Sequence, residues 1–139
     1  MYSIVVLLCA VLSLSVVSGK DTVQIPPQLL SKLQPLIKKC EAENGAPENA
    51  FKNLLSGIIE NEASLKFSYC YLLGSGFMFE DGKVNSEKLI TLMKDAHSKE
   101  IFKNFIEGCN NRANNPEPLE VLRVVLSCYK DESPLYYTT

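Results

Sequence analysis

Residues 61–76 read NEASLKFSYCYLLGSG, and this stretch decides how the rest of the chain must fold. Asn61 is a favourable helix N-cap, because its side chain can accept a hydrogen bond from the first helical turn. From Leu65 to Leu73, apolar and aromatic residues occupy most of the helix circumference. A helix that is apolar nearly all round is normally central and buried. The sequence therefore predicts a central third helix from Asn61 to Leu73, ended by the glycine–serine–glycine that follows.

Five further helices are predicted around this central one. The first begins at Pro26-Pro27, is kinked at Pro35 and ends at Gly45. The second begins at Pro47, and the fourth follows Asn85 or Ser86. The start and stop signals of the last two are Ser98 as the cap of the fifth helix, Asn115-Pro116 at the start of the sixth and Ser133-Pro134 at its end.

In each of these helices, apolar residues recur at three- and four-residue steps, which indicates one buried face. No alternating strand pattern and no internal repeat is visible, so the sequence predicts an all-α fold. In chain order the predicted inward residues are Leu29, Leu30, Leu33, Ile37 and Cys40; Phe51, Leu54, Leu55 and Ile58; Leu89, Ile90, Met93 and Ala96; Phe102, Phe105, Ile106 and Cys109; and Leu119, Leu122, Val125, Leu126 and Tyr129.

The length and charge of the chain exclude several classes of protein. With 139 residues, 46% hydrophobic and 22% charged, the chain has the balance of one globular domain. Its net charge of −2 argues against a nucleic-acid partner, which normally requires a basic excess or stripe. A basic helix that lies on a membrane surface is equally unsupported.

The first 19 residues differ from the rest because they carry no charged side chain. An apolar stretch from Ile4 to Leu14 is followed by small residues, including Gly19, which suit cleavage before Lys20. A membrane anchor is the alternative, but the apolar stretch is shorter than the roughly 20 residues that a span requires. We therefore expect 1–19 to be a cleaved secretory signal peptide and 20–139 to be a single domain.

Four cysteines remain once the predicted signal peptide and its Cys9 are removed: Cys40, Cys70, Cys109 and Cys128. An even number in a secreted chain indicates two disulfides, for which three connectivities are possible. None of the four is spaced as in a structural zinc site, and His97 is the sole histidine. We expect no metal and no other cofactor.

Catalytic motifs are absent from the sequence. A Ser-His-Asp or Cys-His site would have to use His97, which lies in a charged helix end. The paired carboxylates, such as Glu60/Glu62 and Glu80/Asp81, fall at helix ends or in polar loops, where a solvated surface is the simpler interpretation. The sequence therefore predicts that the protein is not an enzyme.

The remaining signal is an interior rich in phenylalanine and methionine, together with Tyr136 and Tyr137 in the tail. Two interpretations stay open on the residues alone. Met and Phe at helical spacing often form a filled core, but they also suit the wall of a cavity for an apolar small molecule.

The cysteine spacing, the six helices and the leader together resemble the insect odorant-binding protein family, the pheromone/general odorant-binding superfamily. The segment from Tyr69-Cys70-Tyr71 through Phe77 to Asp81-Gly82-Lys83 is similar to that family around its third cysteine and the following loop. Members typically have six cysteines, and the two that are missing here fall at Lys66 and Leu119. This paired loss resembles the four-cysteine "minus-C" subgroup.

The resemblance implies a compact six-helix domain around an apolar cavity, with disulfides Cys40–Cys70 and Cys109–Cys128. It implies a non-enzymatic, secreted carrier of a small apolar organic ligand such as an odorant, pheromone or lipid-like molecule. It also suggests a membrane odorant receptor as a partner, no stable membrane insertion, and a monomer or weak homodimer. On this basis the expected ligand-binding residues are Leu33, Ile37, Leu54, Ile58, Leu72, Phe77, Met93, Phe102, Phe105, Leu122, Val125, Leu126, Tyr136 and Tyr137, with a tyrosine of the tail supplying an orienting hydroxyl.

Two other functions remain open at this point. A secreted helical effector, or a protein resembling venom components and allergens, would have a filled core and no transport role. A small hydrolase acting on lipids would have to depend on His97.

Overall fold

The computed structural model describes residues 21–139, so the predicted signal peptide lies outside the described residues. The predicted all-α fold with six helices is confirmed, with one two-stranded addition. In chain order the elements are β1 (Asp21–Gln24), α1 (Pro27–Asn44), α2 (Ala50–Leu55), α3 (Glu62–Ser75), α4 (Ser86–Leu89), a 3₁₀ turn (Ile90–Leu92), α5 (Ala96–Arg112), α6 (Pro118–Glu132) and β2 (Leu135–Thr138).

Helix α3 is the central element, as its sequence predicts. The side chain of Asn61 caps it by accepting a hydrogen bond from the Ser64 backbone N–H at 2.9 Å. Leu65 and Phe67 are completely buried. Helices α1, α2 and α6 all pack against α3, which explains why so much of its circumference is apolar.

Two disulfides fix the helix pairs that enclose the interior. Cys40–Cys70 joins α1 to α3, and Cys109–Cys128 joins α5 to α6, each with a Cα–Cα distance of 5.7 Å. This is the pairing that the family resemblance implies. On the chain-entropy model, each bridge stabilises the fold by about 3 kcal/mol, because it restricts the unfolded chain.

The start of α5 differs from the prediction that Ser98 caps it. Asp95 is the N-cap, and its Oδ2 accepts hydrogen bonds from the backbone N–H and the hydroxyl of Ser98, both at 2.8 Å. Ala96, predicted to face inward from the fourth helix, is instead the exposed first residue of α5. Both residue types cap helices well, so the local sequence did not distinguish the two positions.

Two other helices start later than predicted. Asn115 forms a turn in which its Oδ1 accepts a hydrogen bond from the Glu117 N–H, and Pro118 rather than Pro116 takes a first-turn position of α6. Helix α2 begins at Ala50 and not at Pro47, and it ends at Leu55. Ile58 therefore lies outside the helix and is 37% exposed, contrary to its predicted inward position.

The two ends of the described chain form a short parallel sheet, which the sequence analysis did not predict. Asp21 pairs with Leu135 and Gln24 with Thr138, and the Ile25 N–H donates to the Thr138 carbonyl at 2.8 Å. Each strand has only four residues, too few for a clear alternating pattern. The sheet brings Ile25 and the tail against the helical interior, where Leu135 and Tyr137 are buried.

The loop between α3 and α4 is held against α5 and α6. The Asn110 side chain donates to the Val84 carbonyl and accepts from the Val84 N–H, both at 2.9 Å. Gly82 has a positive φ of 93°, and a Cβ there would overlap the carbonyl oxygen of Pro118. Only glycine therefore fits this approach of the loop to α6.

The close approach at Gly82 predicts opposite effects for two glycine substitutions. Gly82→Ala should destabilise the fold by about 1–3 kcal/mol, because it combines a strained φ with a steric overlap. Gly108→Ala is the matched control, since Gly108 lies in α5 with open space around its Cα, and it should stabilise by up to about 1 kcal/mol. Urea unfolding of both variants measures the difference. Equal unfolding midpoints would contradict the packing of this loop on α6.

Candidate functional site: an apolar cavity

A partly open cavity of about 80 Å³, measured as the space open to the centre of a water molecule, lies between the helices. Residues from α2, α3, α4, α5 and α6, from the loop after α3 and from the two chain ends surround it. All fifteen lining residues are aliphatic or aromatic: Ile25, Phe51, Leu54, Leu55, Tyr71, Leu72, Phe77, Val84, Leu89, Leu92, Ile106, Val125, Leu126, Tyr129 and Tyr137.

The structure brings six of the fourteen expected ligand-binding residues together around this cavity. They are Leu54, Leu72, Phe77, Val125, Leu126 and Tyr137. Their part in binding a ligand stays a prediction, but their position gives it a geometric basis.

The other eight expected residues do not line the cavity. Phe102 and Leu122 are completely buried in the core beside it, and Ile37 and Met93 are also buried. Leu33, Phe105 and Tyr136 pack at the margin of the core as partly buried residues, while Ile58 is exposed. A helical pattern shows that a side chain faces inward, but not whether it meets a void or another side chain.

Nine lining residues were missing from the expected set. Helical periodicity predicts inward positions for five of them: Phe51, Leu55, Leu89, Ile106 and Tyr129. The same periodicity does not show whether an inward side chain lines the cavity or packs in the core. Tyr71 lies on α3, where nearly all positions are apolar, so the periodicity does not show which face of the helix is turned toward the cavity. The last three, Ile25, Val84 and Leu92, belong to loops or short turns without a helical period.

Tyr129 joins three elements at the cavity wall. Its hydroxyl donates to the Leu55 carbonyl at 2.5 Å and accepts from the Tyr137 N–H at 3.1 Å. The side chain therefore connects α6 both to the end of α2 and to β2. Its ring also makes an edge contact with Phe102, at a centroid distance of 6.4 Å.

The tail folds back onto the bundle, with different roles for its two tyrosines. Tyr137 lines the cavity, and its hydroxyl donates to the Leu89 carbonyl at 2.7 Å. Tyr136 lies on the other side of the strand, and its hydroxyl donates to the Lys130 carbonyl at 2.5 Å. Both hydroxyl protons are thus directed to backbone carbonyls rather than into the cavity.

The cavity is electrically neutral in the physiological pH range. Burial raises the pKa of Tyr71 to about 12 and raises the pKa values of Tyr129 and Tyr137 well above the ordinary tyrosine value. All three phenols therefore stay protonated, and none of the fifteen lining residues carries a charge. Such a wall suits a ligand that is uncharged and mainly apolar.

Residues 21–139 offer little for other chemistries. His97 is exposed in the first turn of α5. Within the same residues, no cluster of three or more His, Cys, Asp or Glu side chains could hold a metal ion. None of the helices described here has the length and apolar character needed to cross a membrane.

Of the two positions that lack the typical family cysteines, Lys66 is exposed, and Leu119 is partly buried against the core. Lys66 of α3 and Leu119 of α6 border the same groove, together with Cys70 and Tyr69. Beside them, Arg123 of α6 forms an ion pair with Glu62 of α3. The ends of these two helices are therefore neighbours.

Comparison with known proteins agrees with this architecture. A family model described as the PBP/GOBP family matches residues 22–132. Among solved structures, the odorant-binding protein dmelOBP28a from Drosophila melanogaster superposes with a TM-score of 0.61 at 18% sequence identity, covering 76% of this chain and 93% of that one. No curated protein matches the chain significantly in sequence.

The bonds of Tyr129 predict a measurable stability difference. Tyr129→Phe should destabilise the fold by about 1–3 kcal/mol, because it leaves the buried Tyr137 N–H and the Leu55 carbonyl without a partner. Tyr69→Phe is the control, since the Tyr69 hydroxyl bonds only to the Glu80 carbonyl at an exposed site, and its loss should cost less. Urea unfolding of both variants gives the comparison. An equal loss of unfolding free energy in the two variants would show that the hydrogen bonds of Tyr129 do not stabilise the cavity wall.

Proposed function

The chain belongs to the PBP/GOBP family, and from this premise we propose that it is a secreted carrier of small hydrophobic molecules. It binds an odorant, a pheromone or another lipid-like ligand in the cavity and transports it through extracellular fluid. The family consists of non-enzymatic binding proteins, which agrees with the exposed position of His97.

The observation that carries this proposal is the apolar cavity itself. A secreted effector with a filled core would require no internal void, since empty space loses packing contacts without compensation. Here fifteen apolar or aromatic side chains surround about 80 Å³ of space. A wall of this kind binds ligands through burial of apolar surface, with few polar groups to select among them.

The size of the cavity limits what it accepts without a change of shape. Its 80 Å³ is smaller than an apolar cavity of about 150 Å³, a size known to bind benzene. A ligand of pheromone size therefore requires the wall to move. The half-buried lining residues Leu55, Leu72, Leu89 and Leu92 are the least enclosed part of that wall, and we infer that they are displaced first.

Secretion and the "minus-C" subtype are part of the same proposal. Two disulfides suit an oxidising extracellular compartment, and the uncharged leader 1–19 has the form of a signal peptide. Lys66 and Leu119 border one groove where a third bridge of the family would join α3 and α6. We infer that non-cysteine residues stand at both ends of a disulfide that other members of the family have and this chain lacks.

Binding in the cavity can be tested with two neighbouring valines of α6. Val125 lines the cavity and is 1% exposed, whereas Val124 is 38% exposed. Val125→Phe should fill the cavity and weaken binding of a fluorescent apolar probe at least tenfold, while Val124→Phe should leave the affinity unchanged. Circular dichroism checks that both variants keep their helices, because overpacking a core costs about 1–3 kcal/mol.

Failure of the proposal would be equally visible. If the wild-type protein binds neither the probe nor any small apolar competitor, the carrier function is wrong. If Val125→Phe binds as well as Val124→Phe, ligands occupy a different site. Where binding is found, mass spectrometry of organic extracts from the natively purified protein identifies the physiological ligand.

The missing bridge leads to a separate prediction about the family subtype. The double change Lys66→Cys, Leu119→Cys should form a disulfide on oxidative folding, since the Cα atoms are expected within about 7 Å. The new bridge should raise the melting temperature. On the chain-entropy model it adds at most about 4 kcal/mol to the free energy of unfolding. A thiol count on the folded protein measures it. Two persistent free thiols beside intact native bridges would refute the subtype.

A further inference from the structure

Three tyrosine hydroxyls are the only polar side-chain groups among the residues that line the cavity. Two of them are occupied by the protein. Tyr129 donates to the Leu55 carbonyl and Tyr137 to the Leu89 carbonyl, so their protons are already used. The third belongs to Tyr71 of α3.

Tyr71 is buried without a polar partner. Its side chain is 3% exposed, and within residues 21–139 its hydroxyl takes part in no hydrogen bond. The hydroxyl oxygen nevertheless keeps some accessible surface, because it is not among the completely enclosed unpaired polar atoms. Tyr71 lines the cavity, and we take this surface of the hydroxyl to face the cavity.

The ring of Tyr71 is held in a fixed position. It meets the edge of Phe51 at a centroid distance of 5.1 Å and stacks with Phe67 at 6.3 Å. The preceding residue, Cys70, is tied to α1 by a disulfide. The hydroxyl is therefore presented by a rigid support, which reduces the entropy lost when it forms a bond.

We propose that the Tyr71 hydroxyl donates a hydrogen bond to an oxygen acceptor on the ligand, so that the cavity selects apolar molecules carrying a carbonyl, ester or ether group over plain hydrocarbons. This inference rests on the carrier function proposed above and adds the chemical class of the cargo. A buried hydroxyl without a partner is unfavourable, and a ligand acceptor would remove that penalty. The pKa of about 12 supports a donor that remains protonated in any physiological fluid.

The test compares two ligands of nearly the same shape on two proteins. One ligand is an aliphatic methyl ketone, and the other is the matching terminal alkene in which C=CH₂ replaces C=O. Tyr71→Phe should reduce the preference for the ketone over the alkene by about five- to tenfold, the value of one net hydrogen bond. Displacement of a fluorescent apolar probe gives the four affinities.

Tyr69→Phe is the matched control. It removes the same atom from the same helix, but Tyr69 lies outside the cavity and bonds to the Glu80 carbonyl. The ketone preference should be unchanged in this variant. Thermal unfolding adds a second readout, because Tyr71→Phe removes no protein hydrogen bond and should leave the melting temperature equal or higher.

The outcomes separate this inference from the proposed function. If the alkene binds the wild-type protein but Tyr71→Phe leaves the ketone preference unchanged, the Tyr71 assignment is overturned and the carrier function stands. A fall in melting temperature on Tyr71→Phe would also overturn it, since the hydroxyl would then have a structural partner. If neither ligand binds the wild-type protein, the carrier function fails first.

Discussion

The hydroxyl of Tyr129 lies where helix α6, the end of α2 and strand β2 meet. Because a phenol has one proton and two lone pairs, it can donate to the Leu55 carbonyl of α2 and accept from the Tyr137 N–H of β2 at the same time. Helix α6, which carries Tyr129, is fixed in turn to α5 by Cys109–Cys128. The polar bonds lie at the edge of the cavity, and the wall between them remains apolar.

An internal void is energetically unfavourable, and the rest of the fold must offset it. At about 24 cal/mol per Å³, a cavity of 80 Å³ destabilises the protein by about 2 kcal/mol. Each of the two disulfides contributes about 3 kcal/mol in the opposite sense. The bridges therefore exceed the cost of the cavity, and a ligand that fills it would recover the lost contacts. The two bridges thus help a small domain to maintain a cavity that its own side chains do not fill.

The sequence predicted those features whose causes are local. Asn61 caps its helix as predicted, and Asn85 caps the helix that was predicted to follow Asn85 or Ser86, because an N-cap bond spans only three residues. The cysteine pairing agrees with the family resemblance, but spacing alone left three connectivities open. The chain-end sheet was missed, since its strands are far apart in sequence and too short to show a period. The cavity wall was predicted only in part, because inward periodicity gives Phe102 and Val125 the same signal although only Val125 meets the void.

The parallel pairing of Asp21–Gln24 with Leu135–Thr138 also makes part of the cavity wall depend on contacts between residues far apart in sequence. Contacts between such distant positions form slowly, because loop closure precedes any gain from the pairing. Ile25 directly follows β1, Tyr137 lies in β2, and both belong to the cavity wall. The part of the wall that the sheet contributes is therefore expected to form late in folding, after the local contacts of the helices.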